Sequence, residues 1–460
     1  MKRKIYSKLV EWKRRSSGRT ALLIDGARRV GKSYIAEEFG KREYAAYVVV
    51  DFSKVNTKLR RIFNLYLDDL DTFFVHFQQL TKSKLIAGDS LIIFDEVQKF
   101  PRAREAIKHL VADGRYHYME TGSLISINRN VKDILIPSEE EHLKMYPMDF
   151  EEFLWALGDE TTMELVRQAF SSLSSMGEDE HQTTMDRFRE YVVVGGMPQA
   201  VGEYIRTRDL DAVDRIKRNI ITLYQSDIYK FAGVLKAKVR MIFNAIPSAL
   251  SRHEKRIILS NVRAGSRMRD FESTFDWLDS AMMVNLCYNA SEPNVGLELN
   301  ADRTTLKCYM ADTGLLVSMA FSENELAASG IHEQLITGEL EINEGMIVEN
   351  VVAQMLRSSG HRLFFYSRNE SEDRMEIDFL LSRSKVERNG NILPIEVKSG
   401  KRCSTKSLNK YRARFSRYLG ASYVLYTKDL RIKDDIVYLP LYMASLLGGE
   451  GARRKGKDTL

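Results

Sequence analysis

At 460 residues the chain is too long for one ordinary domain and predicts about two to four. Its 44% hydrophobic and 29% charged content excludes a disordered or fibrous chain, and a net charge of +6 permits nucleic-acid contact without demanding it. The three cysteines, Cys287, Cys308 and Cys403, are scattered, which excludes a disulfide framework and a CxxC zinc site and fits a reduced compartment.

Residues 1–19 are basic, carry a thin apolar stripe of Ile5, Leu9, Val10 and Trp12, and lack the apolar core of a signal peptide. No stretch approaches the roughly 20 apolar residues of a membrane span. The expectation is a soluble, cytoplasmic protein with no membrane partner. Short apolar runs at 20–25, 44–52, 90–94 and 116–120 read as strands. Helical patterns at 32–39, ending at Gly40, and at 103–112 lie between them. Such alternation predicts an α/β domain over 1–150 with a parallel sheet flanked by helices.

Residues 151–235 read as a charge-rich helical region, punctuated at Gly195-Gly196-Met197-Pro198 by a turn. Helical runs at 241–250 and 271–278, followed by strand-like runs at 284–289 and 305–310, suggest a winged-helix-like region over 236–335. Residues 336–450 are mixed α/β, with a helix at 344–357, strands at 362–366, 376–381 and 392–397, a helix at 407–418 and a strand at 422–426. The tail 451–460, with Arg453, Arg454, Lys455 and Lys457, reads as a disordered basic end.

The chemistry starts at Gly26-Ala27-Arg28-Arg29-Val30-Gly31-Lys32-Ser33, which fits G-x-x-x-x-G-K-[ST] between a strand and a helix. Glycines let the backbone turn around phosphate, and the helix N-terminus offers amide donors and partial positive charge. Lys32 is expected to reach the β- and γ-phosphates of ATP, and Ser33 to bind magnesium. The apolar run Leu91-Ile92-Ile93-Phe94 ends in Asp95-Glu96, placing Asp95 as the second magnesium ligand and Glu96 as the residue that polarises the attacking water. Thr121-Gly122-Ser123 ends the next strand. There Ser123 either orients the water or γ-phosphate or belongs to an ordinary Gly-Ser turn.

Phe94-Asp95-Glu96-Val97-Gln98-Lys99, Thr121-Gly122-Ser123 and Tyr146-Pro147-Met148-Asp149-Phe150-Glu151-Glu152-Phe153-Leu154 together resemble prokaryotic P-loop ATPases of the AAA+ superfamily that carry a C-terminal domain of uncharacterised function. Gly195-Gly196-Met197-Pro198 and Met310-Ala311-Asp312-Thr313-Gly314-Leu315-Leu316 extend the resemblance over nearly the whole chain. It implies ATP binding and a nuclease-like C-terminal domain. One departure concerns Pro137-Ser138-Glu139-Glu140-Glu141, which is acidic where such proteins often carry a base before Tyr146. If that base assists γ-phosphate chemistry, hydrolysis is impaired here. Arg102, Arg104 and Arg129 are arginine-finger candidates by proximity, each also readable as an ordinary solvated arginine.

A second constellation lies near the C-terminus. Asp378 lies on one expected strand, and Glu396 and Lys398 share a face of the next. Glu349 lies on the preceding helix. These four resemble the PD-(D/E)XK nuclease set, an α/β restriction-endonuclease-like fold, and imply a second divalent cation with Lys398 placing water. The alternative is a salt-bridged sheet surface. Lys406, Lys410, Arg414 and Arg417 recur on one face of a helix opposite Leu408, Tyr411, Phe415 and Tyr418. That stripe is either a phosphate-binding face or a solvated one. Arg252, Lys255, Arg256, Arg263, Arg267 and Arg269 would give the winged-helix-like region its own DNA-facing surface.

Two functions remain open on these residues. One is an ATP-hydrolysing protein whose nucleotide state controls a nucleic-acid-binding or nuclease C-terminal domain. The other is a slow or non-hydrolysing nucleotide switch or scaffold that recruits a protein partner. A finger supplied by a neighbouring copy would require a homo-oligomer.

Overall fold

A computed structural model describes residues 1–54, 56–122, 139–294, 296–321, 325–339, 344–368, 374–383, 390–400 and 403–448. The tail at 451–460, Ser123 and Arg129 lie outside the described residues. No described helix is long and apolar enough to cross a membrane. The chain divides into two compact units, one built on residues 1–147 and the other on 148–228, 234–279 and 283–460.

In the first unit, α1 (Ile5–Ser16) precedes β1 (Ala21–Gly26), α2 (Lys32–Glu43), β2 (Ala46–Asp51), α3 (Thr57–Leu65), α4 (Leu70–Thr81), β3 (Ser90–Asp95), α5 (Pro101–Asp113), β4 (His117–Gly122) and β5 (Glu140–Met145). The strands form a parallel five-stranded sheet in the order β2-β3-β4-β1-β5. The interior strand β1, between β4 and β5, is buried along its whole length, which explains its uninterrupted apolar run. One face carries Leu23, Ile92, Phe94 and Tyr118, packed under Leu59, Ile62 and Phe63 of α3, Phe73 and Phe77 of α4, and Ile107 and Leu110 of α5. On the other face α2 does not stop at Gly40. A Cβ there would lie 3.0 Å from Tyr47 Cβ and 3.3 Å from Ile93 Cδ1, so this glycine lets the helix approach the sheet rather than ending it.

Three elements of this unit go beyond the sequence reading. Helices α3 and α4 fill a stretch left unassigned, each opened by a side-chain cap: Asn56 accepts the Leu59 N–H at 2.8 Å and Asp69 the Thr72 N–H at 3.2 Å. The third is β5, which begins inside the acidic stretch. Its Glu140 is held by Arg104 at 2.7 Å, and its Glu141 accepts from Thr20 at 2.7 Å and pairs with Arg15. These acids are sheet structure, fixed beside β1.

The second unit begins with α6 (Phe150–Ala156), whose Asp149 and Glu152 form a reciprocal capping box. Helices α7 (Thr162–Ser172), α8 (Glu178–Val194), α9 (Pro198–Thr207), α10 (Leu210–Phe231), α11 (Lys236–Leu250), α12 (Leu259–Val262) and α13 (Glu272–Ser280) follow. Then come β6 (Val284–Ala290), β7 (Ala301–Met310), α14 (Thr313–Ala320), α15 (Glu325–Thr337), α16 (Glu344–Ser358), β8 (Leu363–Arg368), β9 (Met375–Ser382), β10 (Ile392–Val397), α17 (Lys406–Phe415), β11 (Ser422–Tyr426), β12 (Arg431–Lys433) and β13 (Ile436–Pro440).

Gly195-Gly196 and Asp312 of the sequence motifs meet in this unit. Asp312 caps α14 by accepting the Leu315 N–H at 3.0 Å, and also accepts the Gly196 N–H at 2.6 Å. Gly195 has φ 81°, and a Cβ on it would lie 2.4 Å from Asp312 Oδ1. The motifs are therefore a packing joint.

The eight-stranded sheet runs β12-β13-β11-β10-β9-β8-β6-β7. The hairpin β6–β7 stands where the sequence predicts it, after three helices. It does not stand apart, because β6 pairs in parallel with β8. The expected boundary between 335 and 336 thus runs through one continuous sheet. Strands β12 and β13 were not expected.

Candidate functional site

The P-loop opens where β1 ends. Gly26 is required by space: a Cβ would lie 2.5 Å from the Met145 carbonyl oxygen of β5. Gly31, at φ 97°, turns the chain into α2, and Arg29, at φ 71°, holds a left-handed conformation unusual for its residue type. Ala27 and Val30 are buried under the loop, whereas Arg28 and Arg29 are exposed. Arg3 was not foreseen here. Its guanidinium donates to the Val30 carbonyl at 2.8 Å and to the Tyr146 carbonyl at 2.7 Å, tying the loop to the chain after β5.

Lys32 is buried, and its ammonium donates to the Gly26 and Ala27 carbonyls at 2.9 Å each. Burial pulls its pKa down to about 8, against the opposing pull of Glu96, Asp25 and Asp95. Ser33 Oγ donates to Asp95 Oδ1 at 2.7 Å. Thr121 at the end of β4 also donates to Asp95 Oδ1, and the Glu96 N–H reaches Thr121 Oγ1 at 3.4 Å. Thr121 is thus the described polar residue that joins β4 to the acidic pair. Glu96 has φ 55° and accepts a 2.6 Å hydrogen bond from Gln98 Nε2. This set fits a nucleotide with a hard divalent cation: a tight glycine turn, an amine held by loop carbonyls, and a hydroxyl and a carboxylate oxygen already in contact.

The two described arginine-finger candidates, Arg102 and Arg104, are engaged elsewhere. Arg104 is 2% exposed and grips Glu140 with two hydrogen bonds, of 2.7 and 3.1 Å. Arg102 is exposed and pairs with Glu105 at 2.8 Å. Behind the loop, His142 of β5 bridges Asp25 at 3.1 Å and Glu140 at 2.8 Å. Those two contacts, Asp25 first, lift the imidazole pKa to about 9. Buried Glu120, against Glu140, is pushed well above the usual carboxylate range by its burial.

The C-terminal acids also come together, but with unforeseen partners. Glu349 of α16 is 1% exposed and accepts from Lys255, from Tyr309 and, at 2.9 Å, from Lys307. Lys307, on β7, also lies 2.8 Å from Glu376 and 3.6 Å from Asp378. Asp378 Oδ2 accepts the Val397 N–H at 2.8 Å, and Glu396 pairs with Lys398 at 2.6 Å. Asp378 sits at a register shift between β8 and β9, an irregularity of the kind that re-aims side chains. Burial, then Glu349, pushes the Asp378 carboxyl up, and burial also raises Glu396. Among the described residues, no group of three or more His, Cys, Asp or Glu side chains could hold a metal ion. The expected second divalent cation therefore does not fit these residues as arranged.

Two basic surfaces need correction as well. Leu408 and Tyr411 of α17 share a core with Met375 and Ile377, and strand alternation puts Glu376 and Asp378 on the other face of the sheet. Lys406, Lys410, Arg414 and Arg417 are exposed as expected, yet they do not flank the acid cluster. Lys255 and Arg256 turn inward, toward Glu349 and toward Ser367 and Glu376, while Arg252, Arg263, Arg267 and Arg269 remain exposed.

A family model described as an AAA domain matches residues 18–154. Two further models, each described as a domain of unknown function (DUF8612 and DUF4143), match residues 185–326 and 344–443. A search of curated proteins gives no match. Among solved structures, the chain is similar to the Aeropyrum pernix ORC2 protein in its ADP form, at 14% identity over 73% of this chain and 92% of that one, with a TM-score of 0.28. It is similar also to Drosophila ORC bound to DNA, at 13% identity over 66% and 91%, TM-score 0.28. A third is the Aeropyrum pernix ORC1 protein in complex with DNA, at 11% identity over 70% and 92%, TM-score 0.26. Overlays this loose carry no argument about function. Residues 18–154 are thus similar to an AAA domain, and within them a parallel sheet carries the P-loop.

Proposed function

We propose that the chain binds ATP with magnesium at Gly26–Ser33, hydrolyses it, and uses its nucleotide state to control a C-terminal half that engages nucleic acid. The observation that carries the first part is the 2.7 Å contact between Ser33 Oγ and Asp95 Oδ1. It joins the P-loop to the acidic strand end at the corner where such domains hold a cation. A magnesium ion held there would neutralise charge on the β- and γ-phosphates. Lys32 exchanges the loop carbonyls for phosphate oxygens. Thr121 keeps Asp95 oriented, and Glu96 takes the proton of the attacking water.

Support for the second part is surface chemistry. Exposed Arg252, Arg263, Arg267 and Arg269 accompany three helices and a hairpin, an order that supports the winged-helix reading. Exposed Lys406, Lys410 and Arg414 line α17, and exposed Arg417 follows in the turn after it. The order α16, β8, β9, β10, α17, β11 supports a PD-(D/E)XK-like fold, which by itself does not imply cleavage.

The test is ATP turnover with and without DNA, in wild type, Lys32→Ala and Glu96→Gln. Turnover should vanish in the first and fall strongly in the second. Undiminished turnover in Lys32→Ala sinks the proposal. A second reading, a slow switch that recruits a protein partner, is favoured by the Gln98 hydrogen bond on Glu96 and by the engagement of Arg102 and Arg104. In that reading an arginine arrives from a second copy or a partner. Slow single-turnover hydrolysis without stimulation by DNA selects it.

A further inference from the structure

Carboxylates hold a divalent cation with lone pairs that face a common space and have no other cation in it. In the C-terminal cluster that space contains an amine. Lys307 Nζ lies 2.9 Å from Glu349, 2.8 Å from Glu376 and 3.6 Å from Asp378, and the residue is fully buried. It arrives from β7, which belongs to the same sheet, and its amine sits 5.1 Å from the centre of the Phe365 ring. Such a side chain has no solvent to withdraw into. Lys255 adds a second ammonium on Glu349, with its side chain only 20% exposed. One oxygen of each remaining member is engaged too: Asp378 Oδ2 by the Val397 N–H, Glu396 Oε1 by Lys398. Lys398 is thus committed to a carboxylate and is not held ready for a water or a phosphate.

We infer that Lys307, assisted by Lys255, is the built-in cation of this cluster, and that the C-terminal domain works without a metal ion and leaves phosphodiester bonds intact. The carboxylates that would ligate an ion instead serve as the counter-charge of a lysine fixed in the sheet. Bringing a divalent ion among them would set it against an ammonium in a buried site, where like-charge repulsion is poorly screened. Glu349 supports this from the other side. Against its burial, Lys255 and Lys307 hold its carboxyl down to about 2, as a carboxylate fully committed to cations is held. The inference does not depend on whether the domain binds nucleic acid.

The experiment uses the full chain, free of nucleotide, with Asp95→Asn to silence the N-terminal site. Manganese is titrated to millimolar concentration and the free ion is read by electron paramagnetic resonance. Supercoiled plasmid is incubated with the same protein and manganese. No stoichiometric ion should bind, and no nicking should appear above a metal-free control. If one ion binds or nicking appears, Asp378→Asn is added and its fold checked by circular dichroism, with Glu396→Gln taking its place should it unfold. Loss of the ion or of the nicking in that variant overturns the inference. Retention of both puts the ion and the nicking elsewhere, and the inference stands. ATP binding is measured separately on the unaltered chain, so failure of the ATPase reading shows as a different result.

Discussion

Both ends of the chain set a lysine beside carboxylates at the edge of a sheet, and the two lysines live different lives. Among the described residues, Lys32 donates to backbone carbonyls of its own loop, five and six residues away. Burial leaves it easier to discharge, with a pKa near 8. Lys307 touches carboxylates from α16 and β9, and, although burial alone would lower its pKa, Glu349, Glu376 and Asp378 drive it well above the lysine range. A lysine bonded to replaceable carbonyls can be redirected to a phosphate. A lysine among three acids is already neutralised, and removing it leaves charges stranded. The difference teaches that an acidic constellation is read by its cations as much as by its acids.

The strongest way to break this comparison is to delete each lysine in turn. Lys32→Ala should abolish ATP turnover, by about 10³-fold or more, the scale of losing a main electrostatic contact to the reacting phosphate. Its melting temperature should stay close to that of wild type. Lys307→Met should do the reverse: about 3–5 kcal/mol of stability lost, because Glu349 remains buried without it, with turnover retained at temperatures where the fold survives. Denaturant melts and steady-state ATPase rates on the same samples decide it. Equal effects of the two substitutions on stability would erase the distinction.

The acids should mirror the lysines on a smaller scale. Glu96→Gln should lower turnover by about 10²-fold with little change in melting. Glu349→Gln should lower stability by about 3 kcal/mol, comparable to the removal of a buried paired charge. Its pH signature is distinctive. Glu349 titrates near 2 when folded and near 4.3 when unfolded, so its contribution is present above about 4.3 and is lost as pH falls toward 2. Acid denaturation curves of wild type and Glu349→Gln should therefore converge below about pH 3. Parallel curves down to that pH would show that the lysines do not hold Glu349 as described.

Much of the N-terminal site was legible because its determinants are local. The P-loop lies within eight consecutive residues, and Asp95-Glu96 end an apolar strand. The rest was written in long-range contacts. Arg3 reaches Tyr146 across 143 positions, and Lys307 reaches Glu349 across 42. Neither lysine nor arginine carries a local mark of such a partner. Strand β5 was hidden because an edge strand with polar residues, Glu140-Glu141-His142, breaks the apolar pattern that betrays buried strands. Helices α3 and α4 were more accessible. Asn56 and Asp69 stand at their N-caps, and Leu59, Ile62 and Phe63 follow helical spacing. In the C-terminal sheet the order of acids was readable from spacing. The face on which α17 packs was not, because it depends on which side of β9 Met375 and Ile377 find their core.

Gln98 sharpens the comparison within the N-terminal site, because it asks whether Glu96 is as free as Lys32. Its amide holds Glu96 at 2.6 Å, a contact that must be released or turned before the carboxylate can take a proton from water. Gln98→Ala should raise basal ATP turnover by up to about tenfold, a change of about 1.4 kcal/mol. The substrate dependence should be little altered, since Gln98 does not lie in the P-loop. A fall in turnover would mean instead that Gln98 presents Glu96 in its working orientation, and the slow-switch reading would lose its main support.

The smallest expected effect separates the two units by pH. The C-terminal cluster loses support on the acid side, through Glu349. The N-terminal sheet should lose it on the alkaline side, through His142, whose hydrogen bonds to Asp25 and Glu140 raise its pKa to about 9. With an unfolded value near 6.5, its charged form contributes stability that is complete below about pH 6.5 and fades as pH rises through 9. The side chain is 40% exposed, so solvent screening keeps the contribution to about 1 kcal/mol or less. Melting of wild type and His142→Gln between pH 6 and pH 9.5 reads this directly. The gap between the two curves should be widest at the low end and close toward the high end. Because Asp25 immediately precedes Gly26, the same rise in pH should loosen the residue from which the P-loop departs, and ATP affinity should fall further in wild type than in the variant, where loss of the Lys32 charge near pH 8 acts by itself. A gap that stays constant across that range would mean that His142 is not charged in the folded protein. The alkaline fall in ATP affinity would then come from Lys32 itself, whose deprotonation near pH 8 weakens phosphate binding in both proteins.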